Sequence, residues 1–145
     1  PAMKPLETKS LRLIAQALVT VQAPVEDMNR ILASVTAITP LVLGKYDKNA
    51  FEAAPGIEHY RPLEGAAAGA ESDARKRPGV ACISFQIDDD PTLIAEVAEA
   101  IFQVHSYQEP VITVQTIYAS RSRGLDDSAN PHRWWNTTGD WKKTA

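Results

Sequence analysis

Residues 79 to 87 alternate between apolar and polar positions. Ala81, Ile83, Phe85 and Ile87 fall on one side, and Val80, Cys82, Ser84 and Gln86 on the other. A period of two is the signature of a strand with unlike faces. Just downstream the period changes. Leu93, Ile94, Val97, Ile101 and Val104 recur at helical spacing behind Asp90 and Pro91. Asp is a good N-cap and Pro suits the first helical position, so the pattern predicts a helix over about 91–104. Pro110 then opens a second alternating run, Val111 to Tyr118, which predicts a final strand.

Upstream the pattern is less regular. Residues 11 to 22 become β-branched toward their end and stop at Ala23-Pro24, which favours a strand over a helix. From Pro24, Val25, Met28, Leu32 and Val35 repeat at helical spacing, with Glu26 and Asp27 near the positive end of the dipole. This helix should end before Pro40. Residues 41 to 64 hold short mixed runs and a Pro-Gly pair, suggesting a bent or hairpin-like strand pair. The small and polar stretch 65–78 reads as a surface loop.

The order strand, helix, strand pair, strand, helix, strand predicts an α+β fold, the ferredoxin-like split βαβ sandwich. Such a domain packs two helices on one face of an antiparallel sheet and leaves the other face open. Residues 1–10 read as a flexible leader and 11–118 as the domain. Residues 119–145, with Asp126, Asp127, Trp134, Trp135 and Trp141, read as an irregular extension expected to cover that face or a neighbouring subunit.

Composition narrows the classes. Among 145 residues, 44% hydrophobic and 23% charged is the balance of an ordinary globular domain. No apolar run approaches the ~20 residues that span a bilayer, so a membrane is not an expected partner. A net charge of -3, with basic runs limited to Arg75-Lys76-Arg77 and Lys142-Lys143, argues against a nucleic-acid partner. Pro1 to Ser10 lacks an apolar signal core, and the expected location is cytoplasmic. The single cysteine, Cys82, is expected to be a buried structural thiol.

The polar chemistry concentrates in two motifs, Tyr60-Arg61-Pro62-Leu63-Glu64-Gly65 and His105-Ser106-Tyr107-Gln108-Glu109-Pro110. His105, at a helix C-terminus where the dipole favours imidazolium and with Glu109 nearby, is a candidate general acid or base; the plainer alternative is a cap on helix carbonyls. Arg61 and Glu64 offer either a salt bridge or a substrate clamp, since an Arg fork fits a carboxylate. Trp134 and Trp135 offer an aromatic wall. His59, His105 and His132 with a carboxylate offer a metal site as the lesser alternative, but the ligands are scattered and lack tight spacing, so no metal is expected. Neither a Gly-rich phosphate loop nor a nucleophile elbow is present, so no cofactor is expected.

Gly44-Lys45-Tyr46-Asp47, Phe51, Tyr60 to Ala66 and His105 to Pro110 together resemble, in matching order, the motifs of the domain inserted in NIF3-like proteins. That domain is in turn similar to the CutA divalent-ion-tolerance proteins. The resemblance spans roughly residues 12 to 118. It implies a ferredoxin-like fold and a trimer, but no established reaction, because fold does not carry function. The metal-binding half of NIF3-like proteins lies outside this domain, so no dinuclear hydrolase is implied. Ser106 stands where the family has Pro, and Gln108 where it has Glu.

Two functional readings follow. One is a homo-oligomeric binding module with a small-molecule or ion site at a subunit boundary. The other is a cofactor-independent enzyme performing proton transfer, elimination or hydrolysis. In the second, His105 is the acid or base, Tyr107 and Arg61 hold the developing anion, Glu109 orients the histidine, and Tyr60, Glu64, Trp134 and Trp135 contact substrate.

Overall fold

The structure is a computed structural model, and it describes residues 6–124 and 128–136. Strand β1 (Leu11–Pro24) leads through a single 3-10 turn (Val25–Asp27) into helix α1 (Met28–Thr36). Strands β2 (Phe51–Glu52), β3 (Gly56–Tyr60) and β4 (Arg75–Ile87) follow, then helix α2 (Pro91–Val104) and strand β5 (Val111–Ser122). All pairings are antiparallel, in the order β2-β4-β1-β5, with β3 also pairing β4. This is the expected α+β ferredoxin-like arrangement.

The core lies between the sheet and the helices. Ala17, Val19, Val21 and Ala23 of β1 and Ala81, Ile83, Phe85 and Ile87 of β4 meet Met28, Ile31 and Val35 of α1 and Val97 and Ile101 of α2. Every odd position of these two strand segments is buried, as period two requires when one face is packed. Asp90 caps α2 as its sequence suggests, its carboxylate accepting from the Thr92 amide at 3.2 Å. In α1 Ile31 and Val35 are the most deeply buried apolar positions, while Leu32 packs at the margin and Val25, in the preceding 3-10 turn, is exposed.

Three boundaries differ from the sequence reading. β4 starts at Arg75, inside the stretch read as loop, because Arg75, Lys76 and Arg77 pair with Tyr60, His59 and Glu58. Charged residues suit a strand whose sides face water, and their polarity hides it. The 41–64 segment adopts the bent alternative: β2 and β3 are successive pieces along one edge of β4 and do not pair with each other. β5 runs on to Ser122 because the first six residues of β1 provide its partner, Leu11 opposite Ser122 through Gln16 opposite Ile117. Asp126, Asp127 and Trp141 lie outside the described residues.

The open face of the sheet has an unusual composition. Its central rows, read across β4, β1 and β5, are Cys82-Gln22-Val111, Ser84-Thr20-Thr113 and Gln86-Leu18-Gln115. None of these side chains is charged. Phe51 extends the middle row beyond Ser84 and is 72% exposed.

Candidate functional site

The 105–110 motif leaves α2 where the helix hands the chain to β5. The His105 amide closes the helix by donating to the Ile101 carbonyl. Its buried imidazole turns toward β1, with Nε2 2.8 Å from the Gln22 carbonyl and Nδ1 3.0 Å from the Tyr107 amide nitrogen. An amide can only donate and a carbonyl can only accept, so the proton belongs on Nε2. Both ring nitrogens are thereby engaged by backbone, and the ring fastens α2 to β1. Among the described residues Glu109 makes no hydrogen bond or ion pair with His105; it is exposed, and the orienting role expected of it falls to the Tyr107 amide.

Ser106 explains its departure from the family pattern. Its amide donates to Asp27 Oδ2 at 2.9 Å, and its hydroxyl lies 2.6 and 2.5 Å from the two carboxylate oxygens. A proline there offers neither donor. Asp27, only 2% exposed, also accepts from Arg30 Nη2 at 2.6 Å, and Arg30 Nε donates to the Val104 carbonyl at the end of α2. Burial alone raises the Asp27 carboxyl, but the Ser106 hydroxyl and amide together with Arg30 outweigh it and hold the group below its ordinary value. The start of α1 is thus tied to the end of α2.

Tyr107 faces a second cluster. Its hydroxyl accepts from Arg77 Nη1 at 2.7 Å, and the Arg77 guanidinium carbon lies 5.7 Å from its ring centroid. Burial raises the phenol above its usual value, with the Glu58 carboxylate adding to that and Arg77 opposing it. Glu58 in turn accepts from Gln22 Nε2 at 2.5 Å. Arg77, Tyr107, Glu58 and Gln22 therefore form one network at the end of the open face. It borders a cavity of about 200 Å³ where β2 gives way to β3, lined by Gln22, Ala53, Gly56, Ile57, Glu58 and Cys82 among others. Cys82 is half-buried on this wall, less enclosed than the buried thiol expected of it.

The other motif is placed differently. Arg61 donates to the Glu71 carbonyl at 3.3 Å, and no Arg61–Glu64 ion pair forms among the described residues. Tyr60 lies beside Arg75, which is itself paired with Glu71. Glu64 is exposed. A single bond joins the stretch after this motif to the second motif: Gln108 Oε1 accepts from the Ala67 amide at 2.9 Å. Trp134 and Trp135 stand edge to face, centroids 6.1 Å apart, in a 3-10 turn, with Trp135 53% exposed. His59 and His132 are exposed, and no cluster of three metal-ligating side chains occurs among the described residues. Sequence reading missed Asp27, Glu58, Arg77 and Gln22 as partners of the second motif. The only signal for Glu58 and Arg77 was their place on two segments that pair.

Solved structures now provide a comparison. A Bacillus cereus protein related to NIF3 superposes with a TM-score of 0.58 at 18% identity, over 78% of this chain and 27% of that one. The periplasmic divalent cation tolerance protein CutA from Archaeoglobus fulgidus gives 0.52 at 16% identity, over 72% and 84%. This chain has the CutA fold. CutA1 from Oryza sativa agrees, at 0.51 and 15% identity over 72% and 82%. No family model and no curated protein matches the sequence. The CutA-like domain accounts for just over a quarter of the NIF3-related protein's length, and identities this low establish the fold alone.

Proposed function

We propose that the protein is a homo-oligomeric binding module whose ligand site lies at a subunit boundary, where the open face meets the Glu58–Tyr107 cluster. The observation that carries this reading is the charge-free middle of the open face beside a cavity, three rows bounded by Arg121 on Gln86 at one end and by Glu58 on Gln22 at the other. A sheet face left to water normally carries Lys, Glu or Arg, whereas interface cores are depleted of charge. Three rows without a charge, flanked by exposed Phe51, match the second description. At about 200 Å³ the cavity is smaller than a complete drug-sized site and open on one side, so a neighbouring subunit would complete it. Binding is favoured over catalysis because His105, the expected acid or base, has both ring nitrogens engaged by backbone groups.

Thr20→Glu places a carboxylate in the middle row without touching the core. Sedimentation velocity is expected to show an oligomer for the parent chain and a folded monomer for the variant. A parent chain that is already monomeric at tens of micromolar, or a variant that assembles unchanged, contradicts the reading.

A further inference from the structure

We infer that the cavity beside β3 takes a small organic cation, a primary ammonium on a short alkyl body, with Glu58 as its counter-ion. This rests on the cavity being the ligand site proposed above. Ala53, Ala54, Ile57 and Val80 give it apolar walls, and Gln22 and Cys82 are neutral. Glu58 is the one charged side chain on the lining. The space beside Gly56 is open, since a Cβ built there meets only the Val80 carbonyl, at 3.9 Å.

The half-buried Glu58 carboxylate has neutral donors and no ion-pair partner. Gln22 Nε2 donates to it at 2.5 Å, and the Tyr107 phenol faces it. Arg77 stands directly across the ladder from Glu58 yet directs its guanidinium to the Tyr107 hydroxyl. The ion pairs among the described residues are Asp27–Arg30 and Glu71–Arg75, so none involves Glu58. A carboxylate has about four acceptor positions, more than these two donors fill. An ammonium brings three hydrogens and a positive charge, which complements it. A volume of about 200 Å³ is worth roughly seven waters, the size of a short alkylamine. Arg77, close by and positive, sets the opposing field and keeps affinity modest.

The test is an amide-resolved NMR titration of the full chain with isobutylammonium chloride, with isobutanol and sodium isobutyrate as isosteric controls at matched ionic strength. The ammonium is expected to shift the amides of Gly56, Ile57, Val80 and Cys82 in a saturable manner, with isobutanol about tenfold weaker or more. Glu58→Gln should remove that preference and leave isobutanol binding unchanged, and Arg77→Gln should tighten the ammonium. Equal binding of ammonium and alcohol, or tighter binding of isobutyrate, overturns the inference but leaves the cavity as the ligand site. If no probe shifts the lining amides, the inference and the site reading fall together.

Discussion

The two polar motifs look equally rich in the sequence, yet one is built into the frame and the other is not. In the 105–110 motif His105, Ser106, Tyr107 and Gln108 each bond to a different segment: β1, the start of α1, β4 and the loop after residue 65. In the 60–65 motif Arg61 reaches one backbone carbonyl and Glu64 stays in water. A chemically suggestive side chain is free to do chemistry only if the fold has not already used it. In the cluster beside the cavity the residues left with unused capacity, Glu58 and Arg77, belong to neither motif.

Mutations should widen or close that contrast. The largest effect is expected at Asp27. Asp27→Ala leaves the Ser106 amide and hydroxyl and the Arg30 guanidinium without their acceptor, at a cost of about 2–3 kcal/mol in a urea melt. A loss of a few tenths would show that the tie between helices is incidental. His105→Ala should follow, losing about 1–3 kcal/mol as two backbone groups are orphaned beside the core. Ser106→Pro should cost about 1–2 kcal/mol, and in a double-mutant cycle with Asp27→Ala the two losses should fall well short of additive. Arg61→Ala and Glu64→Ala should each stay within about 0.5 kcal/mol of the parent. If either matches His105→Ala, the contrast between the motifs fails.

Acid provides an independent check. The Asp27 carboxyl is depressed in the folded state, so its contribution is complete above the unfolded carboxylate value of about 3.9 and disappears as pH falls through the lower folded value. Stability measured from pH 6 to pH 2 should therefore drop below about pH 4. Asp27→Asn should flatten part of that limb. An identical acid limb in the variant would mean that other carboxylates carry it.

Much of the frame was readable in advance because it rests on periodicity. The alternation of Ala81, Ile83, Phe85 and Ile87 and the Asp90-Pro91 start fixed β4's inner half and α2 without ambiguity. Arg75 to Arg77 were misread because a solvated strand end has no apolar period, and only its partner β3 reveals it. The site was less legible for a related reason. The His105 ring is held by a carbonyl 83 positions away in sequence and Asp27 by a serine 79 away, and local pattern carries no record of such contacts. Ser106 was visible as a departure from a family motif, but its meaning required Asp27 to be placed beside it.

Native mass spectrometry of the purified chain tests the central claim most directly, because it reports subunit number and retained ligand together. The account predicts a homo-oligomer, and Thr20→Glu should convert it to a monomer. A parent chain that flies as a bare monomer from micromolar solution would contradict it, since the three charge-free rows would then be facing water.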